Sequence, residues 1–69
     1  MNKGYTVEVM RKSNKGFYGS DKYDYKTAQD ARRAMREHFT NSFCILTEWA
    51  QFEGGIGDYE VEIERQVAG

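Results

Sequence analysis

A single run of this sequence carries a helical period, and alternating segments bracket it on both sides. Between Thr27 and Phe39 the residues Ala28, Ala31, Met35 and Phe39 recur at spacings of three and four. That spacing puts them on one helix face, with Ala34 and His38 at its margins. Thr27 stands where an N-cap belongs, its hydroxyl able to accept from an unpaired N–H of the first turn. Asp30 places a negative charge near the positive end of the helix dipole. Thr40-Asn41-Ser42 is expected to end the helix, with Asn41 in the left-handed conformation.

The flanking segments read as strands. Tyr5, Val7 and Val9 alternate with Thr6, Glu8 and Met10, predicting a first strand from Tyr5 to about Arg11 with its odd positions facing the core. Lys12-Ser13-Asn14-Lys15-Gly16 reads as a turn, Asn14 and Gly16 being suited to positive φ. A second strand spans about Phe17 to Tyr25, with Phe17, Tyr23 and Tyr25 on its inner side. Gly19 within it marks a bulge or a close backbone approach. A third strand covers Phe43 to Phe52. It is partly apolar on both faces (Phe43, Ile45 and Trp49 against Cys44, Leu46, Ala50 and Phe52), as a central strand is. Glu53 to Asp58, with three glycines, reads as a hairpin loop. The last strand, Tyr59 to about Val67, alternates Tyr59, Val61, Ile63 and Val67 inward with Glu60, Glu62 and Glu64 outward. The pattern is ββαββ in one domain over residues 1–69. It predicts an α+β fold, a four-stranded antiparallel sheet in the order 2-1-3-4 with the helix on one face.

Composition narrows the function classes. With one cysteine, Cys44, no intrachain disulfide forms, and a lone His38 beside it cannot build an all-protein zinc site. No cofactor is expected. The lone cysteine fits a reducing cytoplasm, no apolar run nears the roughly 20 residues of a membrane span, and nothing suggests export. The net charge of −1 conceals a split: residues 1–36 hold nine Lys and Arg against four acids, and residues 37–69 hold seven acids against Arg65 alone. Such a chain presents two opposed electrostatic surfaces or folds them together.

No catalytic constellation emerges. His38 and Glu37 are adjacent, and adjacent helix positions do not face each other; a histidine there suits the negative end of the dipole. Cys44 reads as a small core residue. Gly54-Gly55-Ile56-Gly57 lacks the Lys-Ser/Thr of a phosphate loop and joins strand to strand. The sharpest surface feature is Glu60-Glu62-Glu64, carboxylates about 7 Å apart on one strand face, near the spacing of nucleic-acid phosphates. Asp58 and Glu48 extend that field, and Trp49 and Phe52 either add an apolar anchor beside it or belong to the core, the plainer reading. The plainer readings are an edge strand charged against aggregation and pairing with basic residues of a neighbouring strand. Arg32, Arg33 and Arg36, extended by Lys26, form a basic helix face that suits phosphates or simply water.

The ββαββ plan, the length, the lack of catalytic residues and the acidic outward strand together resemble small phage-encoded inhibitors of the anti-CRISPR type. The resemblance covers the whole chain in architecture and character, without a shared motif. It implies a non-enzymatic inhibitor in the cytoplasm of an infected or host bacterial cell. Its partner would be a host protein or ribonucleoprotein complex with a basic surface, whose nucleic-acid site it blocks. Nucleic acid bound by the basic helix face is the alternative, and a homodimer through a sheet edge is a third.

Overall fold

The computed structural model describes residues 2–13 and 16–67, and the side chains of these except residues 12–18. Of the expected turn Lys12 to Gly16, Lys12 and Ser13 end the first strand and Gly16 begins the second, paired with Ser13, while Asn14, Lys15 and the side chain of Phe17 lie outside that description. Four strands, β1 (Asn2–Ser13), β2 (Gly16–Tyr25), β3 (Cys44–Gln51) and β4 (Tyr59–Gln66), and one helix, α1 (Ala28–Glu37), make up the fold. The sheet is antiparallel throughout in the order β2-β1-β3-β4. The sequence pattern predicted this architecture, and α1 packs on one face against β1, β2 and β3. Strand β1 starts earlier than its alternation suggests, because Asn2, Lys3 and Gly4 pair with Gln51, Ala50 and Trp49 of β3.

The inner row follows the expected parity. Val7 stands between Tyr23 and Leu46, and Val9 between Asp21 and Cys44. Val7, Val9, Cys44 and Leu46, together with Ala31, Ala34 and Met35 of the helix and Ala50 of β3, form the buried core, with Tyr5, Tyr25 and Phe39 packed around it. Fully burying a side chain such as Leu46, Met35 or Val7 contributes about 1.5–3 kcal/mol. Cys44 is buried with them, burial raises its thiol pKa, and it serves as core.

The helix starts as its sequence dictates. Thr27 is extended, and its hydroxyl oxygen accepts from the Asp30 N–H at 3.1 Å. Replacing Thr27 by Ala should lower stability by about 1 kcal/mol, read as a lower urea midpoint with unchanged m-value. The other end departs from expectation. His38 is the C-cap in an ordinary helical conformation, and no non-glycine residue among those described has positive φ. Asn41 is therefore not a left-handed cap. A Thr40 hydroxyl that donates to the Arg36 carbonyl satisfies the helix end instead. Gln66 of β4 reinforces this corner by donating to the carbonyls of Phe39 (2.7 Å) and Ser42 (3.0 Å).

Two bulges decide which side chains share a face. In β2 the register shifts beside Arg11 and Gly19, with Tyr18 the extra residue, so Gly19 does mark a bulge. The shift in β4 matters more. Leu46 pairs with Glu64 but Thr47 pairs with Glu62, leaving Ile63 as the extra residue. A one-residue slip turns every later side chain to the other side of the sheet. Glu64 and Gln66 consequently share the helix side with Leu46 and Cys44, whereas Glu60 and Glu62 lie on the opposite, open side with Trp49 and Thr47.

Candidate interaction surface

The bulge breaks up the expected three-carboxylate ladder. Glu64 reaches α1 and pairs with Arg32 at 3.0 Å, and Glu62 pairs with Arg65 at 2.8 Å. All four side chains are more than two-fifths exposed, so each pair contributes at most about 1 kcal/mol. Two of the three glutamates thus meet this molecule's own arginines. The carboxylate of Glu60 makes no ion pair or hydrogen bond among the described residues.

The inward row expected of β4 also differs. Tyr59, Val61, Ile63 and Val67 are 40, 47, 38 and 72% exposed. A ten-residue helix is about 15 Å long and about 10 Å across, and strands sit about 4.8 Å apart, so α1 roofs three strands and leaves β4 uncovered. Phe52, which the alternation groups with the buried Cys44, Leu46 and Ala50, is 37% exposed.

Glu48 and Asp58 have local duties. Glu48 lies on the helix side, opposite Tyr5, and accepts from the Tyr59 hydroxyl at 2.7 Å. That bond, with help from Tyr5 and Lys3, outweighs desolvation and lowers the carboxyl pKa; the same bond raises that of the Tyr59 phenol. The stability Glu48 supplies is present above the ordinary carboxyl range and fades as pH falls through its lowered value. Replacing Glu48 by Gln should bring the Tyr59 titration down toward ordinary tyrosine, measured by tyrosinate absorbance; an unmoved titration curve would dissolve the pair. Asp58 accepts from the Phe52 N–H at 2.7 Å and closes the Gly54–Gly57 loop, whose three glycines all have positive φ. Hairpin loop is the right description of that segment.

The open side of the sheet holds an arrangement that alternation alone did not reveal. Gly4 lies opposite Trp49, and a Cβ there would stand 2.5 Å from Cζ2 of the indole. The missing side chain is what leaves room for the indole against β1. The Trp49 N–H donates to the Thr6 hydroxyl oxygen at 2.9 Å, and that hydroxyl donates to Asp24 at 2.7 Å. This chain of hydrogen bonds runs from β3 across β1 to β2 and fixes the ring. A valine at Gly4 should dislodge it, giving a red-shifted emission of the lone tryptophan and about 1–3 kcal/mol of lost stability.

Around the indole the sheet forms a shallow, open concavity of about 580 Å³ lined by Thr6, Asp24, Trp49, Ala50, Gln51, Asp58, Tyr59 and Glu60. Three carboxylates and two aromatics surround it, and no Lys or Arg is among the lining residues. Farther along the same face Glu8 accepts from Ser20 at 2.8 Å and sits opposite Lys22. Of the residues expected to meet a partner, the fold therefore gathers Trp49, Asp58 and Glu60, leaves Glu62 nearby beside Arg65, and carries Glu48 and Glu64 to the other side. Asp24 and Thr6 join from β2 and β1. Their signal was the register that brings Thr6 opposite Asp24.

No protein-family model matches the chain, and neither a curated protein nor a solved structure is similar to it.

The remaining candidates are simpler. His38 is exposed, its ring edge-on to Phe39 at 6.2 Å. Among the described residues no group of three or more His, Cys, Asp and Glu could hold a metal ion, and no helix is long and apolar enough to cross a membrane. On α1, Arg32 is engaged by Glu64, while Arg33, Arg36 and the preceding Lys26 are exposed.

Proposed function

We propose that this chain is a non-enzymatic protein-interaction module that binds a cationic surface of another protein through the open side of its sheet. The observation that carries this reading is the concavity at Trp49, walled by Asp24, Asp58 and Glu60; Lys22, opposite Glu8, lines only the adjoining hollow on the same face. A lysine or arginine entering it would meet an aromatic ring and carboxylates together, where cation–π attraction and charge pairing add. Aromatic anchors ringed by polar groups are the usual centres of protein interfaces. The likeness in plan to phage inhibitors suggests the class of partner: a host complex that handles nucleic acid, whose phosphate-binding groove is rich in Lys and Arg. Seated there, the chain would exclude the nucleic acid, acting in the cytoplasm of an infected bacterial cell. Because Glu62 and Glu64 already meet Arg65 and Arg32, the acidity available to a partner is centred on Glu60 and not spread along a phosphate-like row.

Emission from Trp49 offers a direct test, using a short oligoarginine peptide as the probe. Emission should change on titration at low ionic strength, and the response should weaken as salt screens the charges. A silent tryptophan at low salt would contradict the reading. A second reading, nucleic-acid binding by α1, is favoured by the exposure of Arg33 and Arg36. It predicts a gel shift at low salt that falls steeply as salt rises and that is lost when both arginines become Ala.

A further inference from the structure

We infer that the outer edge of β4 is a docking strand, to which a partner adds an extended segment alternating Lys or Arg with apolar residues. This rests on the open side being the surface for a cationic partner, and it specifies the form in which part of that partner arrives. Strand β4 pairs with β3 alone, so the backbone N–H and C=O groups along its other side meet no strand among the described residues. Such an edge is a template for another strand. Every residue from Tyr59 to Arg65 is exposed, the apolar ones included.

The two rows of β4 specify what the added strand should carry. On the open side it meets Glu60, next to Glu62 already paired with Arg65; on the helix side it meets Tyr59 and Val61. Side chains directly opposite across strands lie about 4.5–5.5 Å apart, where opposite charges stabilise and like charges destabilise. A segment with basic residues on one row and branched or aromatic ones on the other satisfies both. The regular stretch from Tyr59 to Glu62 is the docking register, since the bulge at Ile63 distorts the rest of the edge. A second copy of the chain fits poorly. Each β4 offers the unpaired carboxylate of Glu60, while its Arg65 is already held by Glu62, so two such edges bring no charge complement to each other.

The test uses an octapeptide of alternating Lys and Val, and the same peptide with alternate backbone amides N-methylated. N-methylation leaves charge and side chains intact but removes the donors a ladder needs. The unmodified peptide should slow amide hydrogen exchange in Tyr59–Glu62 at least about tenfold, and the methylated one should not, while both change Trp49 emission. Equal effects of the two peptides on exchange, or no slowing with the unmodified peptide bound, would overturn the docking strand and leave the open-face reading standing. Silence of Trp49 toward both would remove that underlying reading too. Concentration-dependent dimers seen by sedimentation and dissociated by the peptide would name a second copy as the occupant, and would also overturn the inference.

Discussion

Replacing Leu46 by Ala should cost about 2–5 kcal/mol, a large share of the roughly 3–10 kcal/mol expected for a chain of this length. Leu46 is fully buried and sits at the centre of β3 between Val7 and Glu64. The core around it is small. Its buried companions are Val7, Val9, Ala31, Met35 and Cys44, and only Met35 among them is bigger than Val. Little neighbouring mass is available to collapse into the cavity, which places the cost toward the upper half of the range. Urea unfolding followed by circular dichroism would measure it. The matching change at Ile45, the adjacent residue on the open side and only half-buried, should cost distinctly less. Equal losses at the two positions would mean that the open side is covered as fully as the helix side, contrary to a sheet roofed on one face only.

Converting both Glu60 and Asp24 to Lys should abolish binding to a cationic partner, a loss of at least about a hundredfold, since like charges set against each other at an interface cost several kcal/mol. The two positions differ usefully. Glu60 holds nothing in place, so Glu60→Lys alone should leave the urea midpoint unchanged while weakening binding. Asp24 accepts from the Thr6 hydroxyl, so its replacement should also cost about 1 kcal/mol of stability and loosen the indole. Reversing Glu62 or Glu64 is a poorer probe, because each change would place a lysine against Arg65 or Arg32. Capture from a bacterial lysate with wild type and the double variant side by side supplies the measurement. Equal retention of the same protein by both would show that these carboxylates do not face it.

The elements and their order were legible because each local signal agreed with the global plan: Thr27 at the helix start, alternation in β1, an apolar β3 and glycines between β3 and β4. What escaped the sequence were offsets of a single residue. Alternation along β4 assumes an unbroken register, and the bulge at Ile63 sends Glu64 toward Arg32 while Glu60 and Glu62 stay outside. The exposure of Tyr59 and Val61 likewise comes from how many strands α1 can roof, which periodicity does not encode. The seat of Trp49 on the open face depends on Gly4 lying opposite, a long-range pairing that no local pattern announces. Asp24 was missed for the same reason, since only the β1–β2 register brings it beside Thr6 and the indole.

The central claim is that a partner meets this chain on the side of the sheet that α1 leaves bare. Amide chemical-shift mapping of the isotope-labelled chain, titrated with a captured partner or with the oligoarginine probe, tests it most directly. The account predicts the largest shifts at Thr6, Asp24, Trp49 and Glu60, including the Trp49 indole N–H. Shifts confined to Arg33, Arg36 and their neighbours on α1 would contradict it.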